Sequence, residues 1–368
     1  MQVPVAGLGY RGRSAHGLHY GPAAGGPGVR VGHVTALDAR GRSWTGAARH
    51  AAGALELRVP AAFLAAAAYP VTIDPTLSPE LDLGLLHYVA AEGAQTDPAV
   101  GFDGTNFLVA WVDGRWSPMA IYAARLTPAG EVLDHFGFRV SDASTQPDTT
   151  PAIACDGNVC LVVWQRSAAT PKIFAARLSP AGQVLDATSV QVTPDVQTYE
   201  YQTQPAVAKN GTSFLVVWTD VLGAFKQING GRVGGDGVPL DRTGFLVGGY
   251  GNADPTRPAV AANGAAALVA WEDRRAGNVG VDIYGNLVPA GTGTPAPFDT
   301  RLSANGGITG ATGDQLQPAV GAIPGGAFFA AWKDGRTGLA QIYGTRVTSA
   351  SGQAQILDGR ATWSRGCH

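Results

Sequence analysis

The residues of this sequence that could do chemistry recur at a regular spacing. A tryptophan ends a short apolar run five times, an aspartate follows two residues later in four copies, and three copies continue to an arginine, as in Trp111-Val112-Asp113-Gly114-Arg115. The repeated Asp and Arg could line polar pockets for a sugar or a peptide. They could equally pair within each copy, because a guanidinium binds a carboxylate in a planar fork. We favour the structural interpretation because the residues recur in nearly every copy, and we expect the tryptophans to pack in the core. The residues assigned to this structural repeat are Trp111, Trp164, Trp218, Trp271, Trp332, Asp113, Asp273 and Asp334.

A second set of candidates stands directly before a proline that precedes each tryptophan by 13 residues, or by 14 in the last copy. These side chains could rim the mouth of a central channel, with an exposed tryptophan from outside the repeat beside them. The predicted ligand-binding residues are Asp97, Gln204, Arg257, Gln317 and Trp116. Glycosidic hydrolysis needs two carboxylates across the scissile bond, yet the segments that begin at the five prolines contain no Asp or Glu. We therefore predict no catalytic residue and lean against an enzyme.

The elements that must position these residues follow one order in every copy. An extended segment starts at the proline, and a Gly- or Asn-containing turn leads into the Trp-terminated run. A third apolar segment and a short fourth one follow, again separated by turn residues. Four strands in roughly 40–55 residues have the size of one propeller blade. The sequence thus predicts an all-β, five-bladed β-propeller of four-stranded antiparallel blades, with repeats near 98–141, 151–193, 205–248, 258–303 and 318–358.

The two ends of the repeat region predict how the ring closes. The segment Leu81–Val89 matches the fourth-strand segments that begin at Leu133 and Leu185, whereas little chain follows Leu357. We expect this N-terminal strand to complete the last blade, which would remove exposed sheet edges. A five-repeat part of a longer ring is the alternative. Residues 1–80 do not follow the period, so we predict a small β-rich module there and the propeller over 81–368.

Composition agrees with a turn-rich β protein and argues against several classes. The 368 residues include 51 Gly and 24 Pro, and 15% are charged, where an average soluble protein has about 25%. The balance of 26 Lys+Arg against 28 Asp+Glu, without a basic stripe, predicts no nucleic-acid partner. The longest apolar run, Ala61–Ala68, is shorter than the roughly 20 residues of a membrane span. Scattered histidines predict no metal or cofactor, although Asp-rich turns such as Asp113-Gly114 could hold Ca²⁺.

Two cysteines stand where a hairpin could bring them together. Cys155 and Cys160 flank the turn sequence 156–159 between two apolar runs. Cysteines across a tight hairpin can reach bonding distance, so we predict a disulfide. Two small apolar residues at hairpin ends remain the alternative. A disulfide would indicate an oxidising compartment.

The whole pattern resembles β-propeller repeats of large secreted or surface proteins of GC-rich bacteria. Trp271–Arg275, Trp332–Arg336 and Ile121-Tyr122 with Arg125 carry the resemblance. It implies a propeller fold and a secreted or cell-surface location. More distantly, the repeats are similar to sialidase-type blades. Turns such as Thr127–Gly130 keep the glycine of the sialidase Asp-box but lack its aspartate and tryptophan, which argues against sialidase activity.

Together these observations predict a non-catalytic binding or display module of a secreted or surface protein. We expect a monomer whose ligand is a glycan or a protein, held at the channel-mouth loops. A glycan-active hydrolase or lyase of sialidase-like propeller shape is the alternative, and a structural spacer is the second alternative.

Overall fold

The computed structural model describes most of the chain. The described residues are 2–4, 8–14, 17–21, 28–51, 54–80, 93–193, 200–241, 243–249, 253–275, 280–297, 299–303, 313–336, 338–350 and 353–356. The chain divides into two compact units, of which the first comprises Met1–Ala90 with Ala129–His135 and the second comprises Ala91–Pro128 with Phe136–His368.

The first unit is built from two antiparallel sheets and one short helix. Its elements are β1 (Gln2–Pro4), β2 (Gly9–Ser14), β3 (Gly17–Gly21), β4 (Gly28–Leu37), β5 (Ser43–Ala47), β6 (Arg49–Ala51), β7 (Ala54–Glu56), α1 (Ala61–Ala65) and β8 (Thr72–Glu80). One sheet has the order β1-β7-β6, and the other has the order β2-β3-β4-β5 with β8 paired to β4. Leu18, Val34 and Leu57 are among the buried residues of its core.

The second unit contains five four-stranded sheets, which we call blades 1 to 5. Blade 1 comprises β9 (Gln95–Phe102), β10 (Phe107–Asp113), β11 (Ala120–Leu126) and β12 (Phe138–Arg139). Blade 2 comprises β13 (Asp148–Cys155), β14 (Cys160–Arg166), β15 (Lys172–Leu178) and β16 (Val190–Gln191). Blade 3 comprises β17 (Glu200–Asn210), β18 (Ser213–Leu222), β19 (Phe225–Gly234) and β20 (Phe245–Gly248). Blade 4 comprises β21 (Thr256–Ala262), β22 (Ala266–Asp273), β23 (Asp282–Pro289) and β24 (Thr300–Arg301). Blade 5 comprises β25 (Gln315–Ile323), β26 (Ala327–Asp334), β27 (Gln341–Ala350) and β28 (Gln353–Ile356).

Each blade is an antiparallel meander in chain order. The first strands of consecutive blades lie against one another, from β9 to β25, so these are the innermost strands. The prediction of an all-β propeller of four-stranded antiparallel blades is confirmed.

The Trp-terminated runs are continuously apolar because both faces of the second strand are buried. On β14, Val162 and Trp164 pack in the core between blades 1 and 2. Leu161 and Val163 point to the opposite face and pack in the core between blades 2 and 3. A strand buried on one face alternates apolar and polar residues, whereas one buried on both faces reads as a continuous apolar run. The cores therefore lie between consecutive blades.

The fourth element of the blade 5 sheet is β28, which pairs antiparallel with β27 from Val347 opposite Ile356 to Ala350 opposite Gln353. In blade 1 the fourth strand instead pairs at Tyr122, opposite the tryptophan, and the blade 5 equivalent of Tyr122 is Tyr343. The β27–β28 hairpin therefore does not fill the position of the predicted closing strand. That strand, Leu81–Val89, lies outside the described residues, so the N-terminal closure stays a prediction.

A disulfide joins the first two strands of blade 2. Cys155 and Cys160 stand opposite each other in the β13–β14 register, their Cα atoms are 3.9 Å apart, and their sulfur atoms are bonded. Asp156 Oδ1 accepts hydrogen bonds from the backbone N–H groups of Asn158 and Val159, which shapes the turn between them. The predicted disulfide is confirmed.

Replacing both cysteines with alanine should lower the free energy of unfolding by about 2 kcal/mol, because the bond closes only a short loop of the unfolded chain. Urea unfolding with and without dithiothreitol measures the effect. Reductant should lower the midpoint of the wild-type protein and leave that of the double variant unchanged. Equal midpoints for the wild-type protein in both conditions would contradict the prediction.

Within the described residues, no helix is long and apolar enough to cross a membrane.

Candidate functional site

The residues that precede the five prolines share one unusual backbone conformation. Their φ angles lie between 50° and 57°, in the left-handed region that non-glycine residues rarely adopt. The β-ladder to the second strand shifts register at this point in every blade, which is the signature of a β-bulge. We call these residues the pre-proline set; they are Asp97, Thr150, Gln204, Arg257 and Gln317. Four of them belong to the predicted ligand-binding residues, and the structure places them at equivalent points of the innermost strands.

Three backbone N–H groups of the pre-proline set tie one blade to the next. Gln317 N donates to Glu272 Oε1 at 2.7 Å, and Gln204 N donates to Gln165 Oε1 at 3.4 Å. Each acceptor directly follows the tryptophan of the preceding blade. Arg257 N instead donates to Gln204 Oε1 at 2.9 Å. The bulge thus orients these N–H groups so that they can form hydrogen bonds with the preceding blade.

Blade 3 uses Gln204 as the acceptor because its residue after the tryptophan is short. That residue is Thr219, whose hydroxyl donates to Gln204 Oε1 at 3.1 Å. Gln204 therefore links two neighbouring blades through a single side chain.

Glu272 is a carboxylate that the sequence interpretation missed. Its side chain is largely buried, and its Oε1 lies 3.6 Å from Nη1 of Arg257, whose own side chain is more than half exposed. The segments that begin at the prolines contain no carboxylate, whereas Glu272 lies on the second strand of blade 4, opposite Thr256 at the start of β21. Side chains alternate along a strand, so the residue after each tryptophan points away from the tryptophan and towards the next blade. That alternation is the signal that could have identified Glu272.

Blade 1 places Asp97 and Trp116 at the same end of the sheet. Asp97 is exposed, and its Oδ2 accepts a hydrogen bond of 3.4 Å from the Thr96 hydroxyl. Trp116, in the loop between β10 and β11, is 70% exposed. Gly114 N in that loop donates to Ala94 O, just before β9, at 2.9 Å.

The predicted ligand-binding residues thus fall into two groups. Hydrogen bonds and an ion pair connect Gln204, Arg257 and Gln317 across blades 3 to 5. Asp97 and Trp116 belong to blade 1.

The Trp-x-Asp-x-Arg residues form a closed polar cluster inside each of blades 1 and 5. In blade 1, Trp111 Nε1 donates to Asp113 Oδ2 at 2.9 Å and Arg115 Nε donates to Asp113 Oδ1 at 2.8 Å. The guanidinium also lies over the Tyr122 ring, 4.4 Å from its centroid. Burial would raise the pKa of Asp113, but hydrogen bonds from Arg115 and Trp111 outweigh it and hold the pKa below its ordinary value. The carboxylate, the indole N–H and the guanidinium thus form hydrogen bonds with one another inside the blade, which supports the structural interpretation of this motif.

Blade 4 has the same residues with a different charge balance. Arg275 donates to Asp273 and also to Asp299, with Nη2 2.8 Å and 2.6 Å from the two carboxylates. Burial, assisted by the nearby Asp299 charge, raises the pKa of Asp273 above its ordinary value despite the guanidinium.

Blades 2 and 3 depart from the repeated pair. In blade 2 the second residue after the tryptophan is Arg166, which pairs with Asp148 of the innermost strand and with Asp142. In blade 3, Asp220 accepts hydrogen bonds from the side-chain amides of Gln202 and Asn229. Burial raises the pKa of Asp220, and its amide partners only partly offset this.

The arginines of the third strands connect neighbouring blades on their outer side. Arg125 Nη1 donates to Pro180 O at 3.2 Å, and Arg177 Nη1 donates to Gly235 O at 3.3 Å. Arg177 is also held by Asp186 of its own blade. These arginines therefore have a structural role, because their side chains hold neighbouring blades together.

Across the part of the chain that the structure describes, no group of three or more His, Cys, Asp or Glu side chains could hold a metal ion.

The sequence matches no protein-family model, and no curated protein resembles it. Solved structures do share its fold. A thermostable family-43 glycoside hydrolase is 11% identical, with a TM-score of 0.45, over 74% of this chain and 96% of that one. The α-L-arabinanase of Penicillium chrysogenum, complexed with arabinobiose, is 10% identical, with a TM-score of 0.46, over 72% and 82%. The α-L-arabinanase of Cellvibrio cellulosa, complexed with arabinohexaose, is 11% identical, with a TM-score of 0.40, over 72% and 96%.

The chain has the fold of a β-propeller. At such identities the likeness concerns the fold alone. The comparison contradicts the prediction of a non-catalytic binding or display module: the structures that share this fold are named as glycoside hydrolases and arabinanases.

Proposed function

We propose that this chain is a glycan-active hydrolase whose site lies at the starts of the innermost strands. The observation that carries the proposal is the position of Glu272, which adds a second carboxylate to that end of the blades. Glu272 stands opposite Thr256 at the start of β21, and Asp97 occupies the equivalent region of β9. Two carboxylates are what glycosidic hydrolysis requires.

The surroundings of the two acids suggest different roles. Glu272 accepts the Gln317 N–H and lies beside the Arg257 guanidinium, so its negative charge is compensated and its position is fixed. It therefore suits the nucleophile or base. Asp97 is exposed, and in this proposal it protonates the leaving glycosidic oxygen. With Glu272 as the base, its carboxylate takes one proton from the attacking water, and the other proton stays on the new hydroxyl group of the released sugar.

The remaining predicted ligand-binding residues supply the contacts that a glycan needs. Arg257 and the amides of Gln204 and Gln317 carry donors for sugar hydroxyls and ring oxygens. Trp116 offers an exposed aromatic face on which a sugar ring can pack. A secreted or cell-surface location accords with the disulfide and with polysaccharide as substrate.

Turnover of a polysaccharide panel that includes arabinan, followed by the release of reducing ends, tests the proposal. Glu272→Gln keeps an acceptor for the Gln317 N–H but removes the charge, and Asp97→Asn removes the proposed acid. Each change should reduce the rate by at least about 100-fold without moving the unfolding midpoint. The matched control is Glu56→Gln in the first unit, where the glutamate pairs with Arg58 at the surface and the rate should not change. A panel left intact by the wild-type protein, or full activity of Glu272→Gln, would refute the proposal.

A further inference from the structure

The first and fifth blades each expose a surface that is buried in every other blade. One such position lies four residues before each repeated tryptophan. In blades 2 to 5 it is at most 1% exposed, whereas Phe107 of blade 1 is 40% exposed. The residues buried at this position are Cys160, Phe214, Ala267 and Phe328.

Phe107 belongs to an apolar patch on the inner half of blade 1. It stands opposite Phe102 in the β9–β10 register, and the two rings are 4.9 Å apart. Val100, two residues earlier on β9, is also exposed. Its equivalent in blade 3, Val207, is buried in the core between blades 2 and 3. We call Val100, Phe102 and Phe107 the head face.

Blade 5 exposes apolar side chains on the face that points away from blade 4. The isoleucine that opens the Ile-Tyr segment of the third strand is fully buried in blades 1 to 4, and its equivalent in blade 5, Ile342, is 57% exposed. The four buried residues are Ile121, Ile173, Ile228 and Ile283. Ile342 stands opposite Lys333 and so lies on the face that points away from blade 4. We call Ile342, with the exposed Leu339 of the preceding loop, the tail face.

The four blade interfaces of the chain show what covers such faces. At each of them the isoleucine of one blade packs in the same core as the residue four before the tryptophan of the next. Ile173 packs with Phe214 between blades 2 and 3, and Ile283 packs with Phe328 between blades 4 and 5. Ile121 with Cys160 and Ile228 with Ala267 repeat the arrangement at the other two interfaces. The tail face and the head face are therefore the two halves of one further interface of the same kind.

We propose that the occupant of the head face is the tail face of a second copy of this chain. Both faces are exposed within one copy, and exposed apolar patches of this kind mark sites of association. The contact pairs two different surfaces, so it is head-to-tail and can continue from copy to copy, either closing into a ring of copies or extending. This differs from the monomer that the sequence predicted.

Two charge-introducing variants test the proposal by sedimentation velocity over a range of protein concentrations. Phe107→Asp disables the head face and Ile342→Asp disables the tail face. Each should weaken self-association by at least about 100-fold, since an unpaired carboxylate is costly to bury, so each variant alone should sediment as a monomer. Both positions are exposed, so folding should persist, which circular dichroism verifies.

The decisive measurement mixes the two variants. Each keeps one intact face, so the mixture should form a dimer that contains one copy of each and grows no further. Phe225→Asp, at an exposed phenylalanine of the β18–β19 hairpin, is the matched control and should associate like the wild-type protein. A wild-type protein that is monomeric at every concentration would overturn the proposal, as would a mixture that forms no dimer. An intramolecular disulfide in a monomeric Phe107→Cys, Ile342→Cys variant would also overturn it, because the two faces would then meet within one chain.

Discussion

Replacing Trp218 with alanine is expected to lower the free energy of unfolding by about 3–5 kcal/mol. Trp218 is almost completely buried and packs with Phe214, Val216 and Ile173 in the core between blades 2 and 3. Removing the indole leaves a cavity between two sheets, whose backbone ladders restrict how far the surrounding side chains can close it. Urea unfolding followed by circular dichroism measures the loss.

The matched control for this change is Trp116→Ala. Trp116 is 70% exposed, so its removal should change the free energy of unfolding by no more than about 0.5 kcal/mol. If Trp218→Ala does not fold, Trp218→Phe preserves part of the packing and should give a smaller loss in the same direction. A Trp218→Ala protein as stable as Trp116→Ala would show that the repeated tryptophan does not hold the blades together.

Replacing Asp334 with asparagine is expected to cost about 3–5 kcal/mol at pH 7, because it leaves a largely buried guanidinium without its counter-charge. Asp334 is fully buried, accepts the Trp332 indole N–H at 2.9 Å, and accepts Arg336 Nε at 2.7 Å. Arg336 also lies over the Tyr343 ring. Asparagine keeps the shape and one acceptor, so the measured loss reports mainly the charge.

The loss of unfolding free energy caused by Asp334→Asn should be smaller at acidic pH than at pH 7. Burial would raise the pKa of Asp334, but hydrogen bonds from Arg336 and Trp332 outweigh it and lower the pKa. A carboxyl group with a lowered folded-state pKa stabilises the fold above its ordinary pKa, and this contribution is lost as the pH falls through the lowered value. The difference in unfolding free energy between the wild-type protein and the variant should therefore narrow below a pH of about 4.

Asp220→Asn is the control for this pH dependence, because the stability contributed by the Asp220 carboxyl group should change with pH in the opposite direction. Burial raises the pKa of Asp220, whose hydrogen-bond partners are the neutral side chains of Gln202 and Asn229. A raised folded-state pKa makes the ionised group a cost, so stability declines as the pH rises from the ordinary value through the raised one. The wild-type advantage over Asp220→Asn should be smaller at pH 7 than at pH 3. If both variants show the same pH dependence, the local partners do not determine these pKa values.

The fold was predictable because its determinants are local and repeated. Each Trp-terminated run, the turn before it and the cysteine hairpin lie within one blade, so spacing alone indicates their pairing. The site was less predictable because its contacts join different blades. Glu272 accepts a hydrogen bond from Gln317, 45 positions further along the chain, and the copies differ most at such residues.

The left-handed backbone before the five prolines has a consequence for how such a protein can diversify. An acid, a hydroxyl, an arginine and two amides all adopt nearly the same φ angle there, so the main chain at this position does not depend on the side chain it carries. Stability is supplied elsewhere, by the tryptophan cores and the buried aspartates. Gln204 is set apart because its side chain also links two blades. Selection can therefore exchange the chemical character of the other four positions one at a time, and a library randomised only at those four would alter recognition while leaving the scaffold unchanged.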